Sequence, residues 1–195
     1  CSALRVLCLQ DEIADHTLKM LRGAMAECRM GNPGRLTTDI GPVIDSEAKA
    51  NIERHIQTMR SKGRPVFQAV RENSEDAREW QSGTFVAPTL IELDDFAELQ
   101  KEVFGPVLHV VRYNRNQLPE RIEQINASGY GLTLGVHTRI DETIAQVTGS
   151  AHVGNLYVNR NMVGAVVGVQ PFGGEGLSGT GPKAGGPLYL YRLLA

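Results

Sequence analysis

Short runs of β-branched and aliphatic residues alternate along this chain with segments in which apolar residues recur at helical spacing, and that alternation restricts the fold more than any other feature. Residues 4–9 (LRVLCL) read as a buried strand, and from Asp11 to Cys28 Ile13, Leu18, Leu21 and Met25 recur at near-helical spacing. The stretch 31–41 is rich in Gly, Pro, Asn and Thr and reads as loop. Asp45 or Ser46 can then cap a helix to about Lys62, stopped by Gly63 and Pro65. Strands are expected over 65–70, 84–92 and 107–113, with the polar 71–82 as a surface excursion. A helix over 118–127, a strand over 132–138, a helix over 140–148 and a short strand over 155–158 follow. Strands and helices in this order imply an α/β architecture with a mostly parallel sheet flanked by helices.

The last third changes character. Nine glycines fall between Gly164 and Gly186. Such a density implies backbone in conformations closed to other residues, or backbone approached closely by a ligand, unless the segment is a flexible linker. Val166, Val167, Val169 and Phe172, interleaved with the glycines, argue against a solvated linker.

Composition narrows the function classes. With 195 residues, 42% of them hydrophobic, the chain is long enough for one globular domain without metal or disulfide staples. Twenty basic against 22 acidic residues leave a formal charge of −2, with no Lys/Arg cluster suited to a phosphate backbone, so nucleic acid is not an expected partner. Cys1, Cys8 and Cys28 form no CxxC pair, and the five histidines (His16, His55, His109, His137, His152) show no pairing at metal-ligand spacing. They read as surface or strand-face residues; no metal site is expected, and a reducing, cytoplasmic setting fits. No apolar run approaches the roughly 20 residues of a membrane span. The chain lacks an initiator Met and its first apolar run starts almost at once, so a piece of a longer protein is expected.

Two places suggest chemistry. Cys1, followed by Ser2, immediately precedes a strand, where a side chain can project into a cleft; such a cysteine reads either as a nucleophile or as a small buried hydrophobe. Cys8 and Cys28 take the second reading. In 101–108 (KEVFGPVL), Glu102 is a solvated charge or else a carboxylate whose two oxygens accept hydrogen bonds from vicinal ribose hydroxyls, with Phe104 as a face for a flat ring.

Five ordered segments carry a resemblance. KEVFGPVL resembles the EEIFGPV motif of the aldehyde dehydrogenases, GTFVAPTLI at 83–91 their G-x-[FY]-x-x-P-T segment, and YGLTLGVHT at 130–138 their YGL strand entry. NLYVNRN followed by PFGGEGLSGTG matches their V-N and PFGG-x-x-x-SG pattern in order and spacing. The resemblance covers the whole chain and implies the catalytic (C-terminal) domain of that family, 1–195, with the dinucleotide-binding domain outside this sequence. Cys1 falls on the family's nucleophile, and Glu102 and Phe104 on positions that contact NAD. The run from 160 to 193 is most similar to glutamate-semialdehyde (pyrroline-5-carboxylate) dehydrogenases, above all those that form one module of bifunctional proline-catabolic enzymes. That similarity implies that the backbone N–H groups of Gly164 and Ala165 bind the substrate's α-carboxylate, that Ser2 assists, and that Phe172 packs on the aliphatic part. A turn of small residues suits such an anion.

The resemblance further implies oxidation of glutamate semialdehyde with NAD, a homo-oligomeric parent, and no dehydrogenase activity and little NAD affinity for this piece alone, since the family's oxyanion Asn, its glutamate base and its dinucleotide-binding domain have no counterpart here. Rival readings are a dehydrogenase for another aldehyde, such as succinate semialdehyde, a non-catalytic module kept for assembly, and a cysteine hydrolase. The Gly164–Phe172 loop speaks against the first, Cys1 and Glu102 against the second, and the lack of a histidine in a segment near Cys1 against the third.

Overall fold

The computed structural model of the chain describes residues 2–69, 83–166 and 168–194. Cys1, the expected excursion over 71–82 and Val167 lie outside the described residues. The chain divides into two compact units, Arg5–Asn114 and Cys1–Leu4 with Arg115–Ala195.

In the unit Arg5–Asn114, strand β1 (Val6–Gln10) runs directly into helix α1 (Asp11–Glu27), whose first turn carries Asp11 and Glu12, charges that suit the positive end of a helix. Helix α2 (Ser46–Ser61) starts where Asp45 accepts a hydrogen bond from the Ala48 N–H at 2.7 Å, the cap expected from the sequence. It ends before Gly63, whose φ of +76° places it in the left-handed region. Strands β2 (Val66–Gln68), β3 (Thr89–Leu93) and β4 (Val107–Tyr113) complete a sheet of order β1-β4-β3-β2, parallel except for β2. The mostly parallel sheet is thus borne out.

Side chains alternate across this sheet with period two. Val6 and Cys8 of β1, Ile91 and Leu93 of β3, and Val107 and Val111 of β4 meet Ile52, Ile56 and Met59 of α2 on one face. Leu7 and Leu9, Leu90, Leu108 and Val110 meet Ala14 and Leu18 of α1 on the other. Each fully buried aliphatic contributes about 2 kcal/mol from removal of apolar area from water, so the two helices are held chiefly by these rows. Cys8 packs in the apolar row, in line with its structural reading.

One expected strand is shorter than the pattern implied. Residues 84–88 form no strand: the Thr84 carbonyl accepts from the Val43 N–H at 2.8 Å while its Oγ1 donates to the Val43 carbonyl at 2.6 Å, and Pro88 has no N–H to donate, so the ladder begins at Thr89.

The second unit contains helix α3 (Leu118–Ala127), then the pair β6 (Thr133–Val136) and β7 (Asn155–Val158), parallel and joined through helix α4 (Asp141–Ser150). This is a β-α-β unit, the connection that parallel neighbours require. The strand expected over 132–138 is confined to Thr133–Val136: before it Tyr130–Gly131 (β5) pairs with Glu175–Gly176 (β8), and after it the Thr138 N–H donates to the Asn159 side chain at 2.9 Å. A short helix α5 (Tyr189–Leu193), absent from the sequence-based reading, closes the unit.

The glycine-rich segment is folded backbone, not linker. A Cβ on Gly154 would collide with the Gly173 carbonyl, and one on Gly174 would come within 2.5 Å of the Ser178 carbonyl oxygen. The chain segments 152–155 and 172–179 therefore pass at a separation that only glycine permits.

Candidate active site

In the unit that begins at Arg5, the turn before β4 sets out Glu102 and Phe104. The Val107 N–H donates to the Gly105 carbonyl at 2.8 Å, and the Thr89 N–H to the Pro106 carbonyl at 2.9 Å, tying the Gly-Pro turn to the sheet. Gly105 sits against Ile52 of α2, with which a Cβ would collide. Residues just before the turn are thereby kept out of the core: the Phe104 ring is 66% exposed and the Glu102 side chain 35%.

One side chain unites them. The Arg5 guanidinium lies 4.4 Å from the Phe104 ring centroid, its Nη1 donates to the Gly105 carbonyl at 3.0 Å, and its Nε is 3.3 Å from Glu102 Oε1. That Nε is buried and makes no hydrogen bond, so its contact with Glu102 is an ion pair without directed geometry. Within the apolar run LRVLCL nothing marks Arg5 as a site residue, because its partners lie about a hundred residues away.

Behind this cluster His109 is buried in the β4 row that faces α2. Its Nε2 is 2.8 Å from His55 Nε2, with the rings edge to face, and its Nδ1 is 3.3 Å from the Arg5 carbonyl oxygen. Only a donor at Nδ1 suits that carbonyl, so Nε2 of His109 is the acceptor and His55 Nε2–H the donor. Burial and the neighbouring His55 and Arg5 lower the pKa of His109 from its ordinary value to about 4, and burial with Lys101 and Lys62 lowers that of His55. His109 lies on a strand face, one of the two places expected for the histidines, but its contact with His55 was not foreseen, since spacing in sequence carries no trace of it.

In the second unit the remaining expected residues come together in part. Ser2 is buried, and its Oγ accepts from the Gly164 N–H at 3.4 Å. Gly164 has a φ of +79°, a conformation that presents its N–H without strain. Phe172 is pinned by a two-way backbone bridge with Ala184, at 2.9 and 2.8 Å, which gives the turn-rich segment 178–187 a role beyond connection. Asn155 of β7 holds both peptide groups around Phe172, donating from Nδ2 to the Pro171 carbonyl and accepting at Oδ1 from the Gly173 N–H. Gln170 donates to the Tyr157 hydroxyl at 2.6 Å. Ala165 is half-buried beside Gly164. Phe172, with Leu132, Ser178, Thr180, Tyr189 and Arg192, lines an open cleft of about 470 Å³. Among the described residues no group of three or more His, Cys, Asp or Glu is placed to hold a metal ion, and no helix is long and apolar enough to cross a membrane.

The aldehyde dehydrogenase family model matches residues 1–194, and the chain belongs to that family. It is 93% identical over all 195 residues to the bifunctional protein PutA of Salmonella typhimurium, of which it covers 15%. A crystal structure of a proline utilization A (PutA) variant from Bradyrhizobium japonicum matches 98% of the chain at a TM-score of 0.89 and 50% identity; the match takes in 19% of that protein. A 1-pyrroline-5-carboxylate dehydrogenase from Thermus, solved with bound NAD, matches 98% of the chain at a TM-score of 0.83 and 36% identity, over 36% of its own length. The chain thus spans less than a fifth of the PutA proteins it resembles, and its fold is that of the aldehyde dehydrogenases.

Proposed function

We propose that the protein to which this chain contributes oxidises L-glutamate γ-semialdehyde, in equilibrium with pyrroline-5-carboxylate, to L-glutamate with NAD, in proline catabolism. The observation that carries this reading is the contact of Ser2 with the Gly164 N–H, in the same unit as the pinned Phe172. A serine, small-residue backbone and an aromatic face suit the α-carboxylate and the short aliphatic chain of that substrate. Similarity to the Salmonella PutA and to the NAD-bound Thermus enzyme supports it.

In this reading Cys1 is the nucleophile: its thiolate adds to the aldehyde carbon, that carbon loses hydride, and water cleaves the resulting thioester to release the carboxylate and the thiol. NAD, when bound, supplies the hydride acceptor. Glu102 and Phe104 fit that group: an exposed carboxylate without directed hydrogen bonds from Arg5 has oxygens for a ribose diol, and the exposed ring offers a face to a flat heterocycle. Gly164 and Ala165 orient the substrate's carboxylate, the Gly164 N–H turning to it from its long bond to Ser2 Oγ, and Phe172 covers its methylenes. The oxyanion Asn, the glutamate base and the domain that holds adenosine come from outside this sequence, so the 195-residue chain alone is expected to have neither dehydrogenase activity nor appreciable NAD affinity. We also place the parent in the cytoplasm as a homo-oligomer; exposed Leu188, Leu190, Leu193 and Leu194 are consistent with a covered surface there.

The test is a comparison of glutamate semialdehyde with succinate semialdehyde as substrates of the full-length protein, with Ser2→Ala alongside. A strong preference for glutamate semialdehyde that Ser2→Ala weakens supports the assignment. A preference for succinate semialdehyde contradicts it.

A further inference from the structure

We propose that Arg5 is a positioning residue for the cofactor half of the reaction, presenting Glu102 and Phe104 together to the nicotinamide riboside end of NAD. The inference rests on the reading of Glu102 and Phe104 given under Proposed function.

Three contacts of one guanidinium carry it. Arg5 lies over the Phe104 ring at 4.4 Å, donates to the Gly105 carbonyl at 3.0 Å, and faces Glu102 Oε1 at 3.3 Å. Each contact falls on a different group of the same short turn, so the rotamer of Phe104, the path of the backbone and the place of the carboxylate are set by a single planar cation. Lysine, a point charge without a fork or a flat face, could satisfy one of these contacts at a time.

The way Glu102 is held matters as much as the fact. A bidentate, directed pair with Arg5 would occupy both carboxylate oxygens. Instead Nε, buried and without a hydrogen bond, attracts the carboxylate without saturating it, which leaves acceptor capacity for a diol. Side-chain exposure is 23% for Arg5 and 35% for Glu102, so the pair is partly shielded from solvent while the carboxylate still reaches it.

Arg5 is itself fixed from behind. Its carbonyl accepts from the His109 backbone N–H at 3.0 Å and faces His109 Nδ1 at 3.3 Å. The backbone of Arg5 therefore belongs to the rigid start of the β1–β4 ladder, and its side chain transfers that rigidity to an exposed turn.

The experiment uses the full-length enzyme with Arg5→Ala, Arg5→Lys, Glu102→Gln and the double variant Arg5→Ala/Glu102→Gln, reading NAD affinity by titration and both Michaelis constants by steady-state kinetics. Arg5→Ala is expected to weaken NAD binding and raise the NAD KM about tenfold, and Arg5→Lys about threefold, with the double variant no worse than the weaker single one because the two residues act as a unit. The KM for the semialdehyde should change less than about twofold, a split that general loss of structure would not produce. Unchanged NAD affinity in Arg5→Ala or in Arg5→Lys, where Glu102→Gln weakens it, overturns the inference alone, as does a double variant whose loss is the product of the single ones. If Arg5→Ala fails to fold, Arg5→Lys decides by the same criterion. Unchanged affinity in Glu102→Gln overturns the cofactor reading and this inference with it.

Discussion

Asn155 brackets Phe172: its Nδ2 donates to the carbonyl of Pro171 at 2.9 Å and its Oδ1 accepts the N–H of Gly173 at 3.3 Å, so one side chain on β7 fixes the peptide groups on both sides of the aromatic ring. An asparagine is the side chain suited to this, since it carries a donor and an acceptor on one planar amide. Because Phe172 is proposed to pack on the aliphatic part of the substrate, its backbone support becomes, in that reading, a determinant of substrate fit.

Replacing Asn155 by Ala removes both bonds and leaves the two peptide groups to water. The expected result in the full-length enzyme is a KM for glutamate semialdehyde raised roughly five- to tenfold, the equivalent of about 1 kcal/mol per lost hydrogen bond shared between binding and loop order. The NAD KM should stay within about twofold. Steady-state kinetics with each substrate varied in turn separates the two.

The close approach of 152–155 to 172–179 makes a different prediction. Gly154→Ala drives a methyl group into the Gly173 carbonyl, and the clash is with backbone that cannot yield by a rotamer change. The substitution is expected to cost more than about 3 kcal/mol locally, in the range of overpacking and backbone conflict. Amide hydrogen exchange of the full-length protein should show protection lost over the β6–β7 pair and over 172–179. Gly149→Ala, at a site where a Cβ meets nothing within 4 Å, should leave protection intact or improve it slightly.

The buried imidazole pair gives a pH dependence. His109 has a folded-state pKa of about 4, below the ordinary 6.5, because burial and its neighbours oppose its positive charge, and His55 is shifted the same way. The unfolded chain therefore takes up protons as pH falls through 6.5 while the folded one does not until near 4. Stability is full above pH 6.5 and is lost as pH falls toward 4, by roughly 3 kcal/mol for His109 alone. Hydrogen exchange of the β3 and β4 amides, corrected for the intrinsic pH dependence, should show opening free energies that decline over this window. In His109→Gln, an uncharged side chain, the decline should shrink by the His109 share, leaving that of His55; a decline of the same size in that variant would assign it to other groups.

Much of the architecture could be read from the sequence because local signals and burial agree. The helix begun at Asp45, the helix over 118–127 and the strands over 107–113 and 155–158 follow from a cap, a periodicity or a run of β-branched residues. The strand expected over 84–92 failed at its first half because Pro88 breaks the ladder, a rule visible in the sequence but outweighed by the apolar run. Site residues divide the same way. Ser2, Gly164 and Phe172 were singled out through motif resemblance as substrate-binding residues; the hydrogen bond between Ser2 and Gly164 was not foreseen, and their role toward the substrate is a proposal. Arg5, Asn155 and the His55–His109 pair were not singled out, because each acts through partners distant in the chain, and pairing across such distances leaves no local pattern. Cys1 lies outside the described residues, so its role rests on the resemblance and is decided by experiment.

That experiment is the most direct measurement of the central claim: NAD-dependent oxidation of glutamate semialdehyde by the full-length protein and by its Cys1→Ala variant. The account predicts activity in the first and a loss of at least about 10⁴-fold in the second, the scale seen when a covalent nucleophile is removed, with folding and NAD affinity retained. Activity that survives in Cys1→Ala would contradict it.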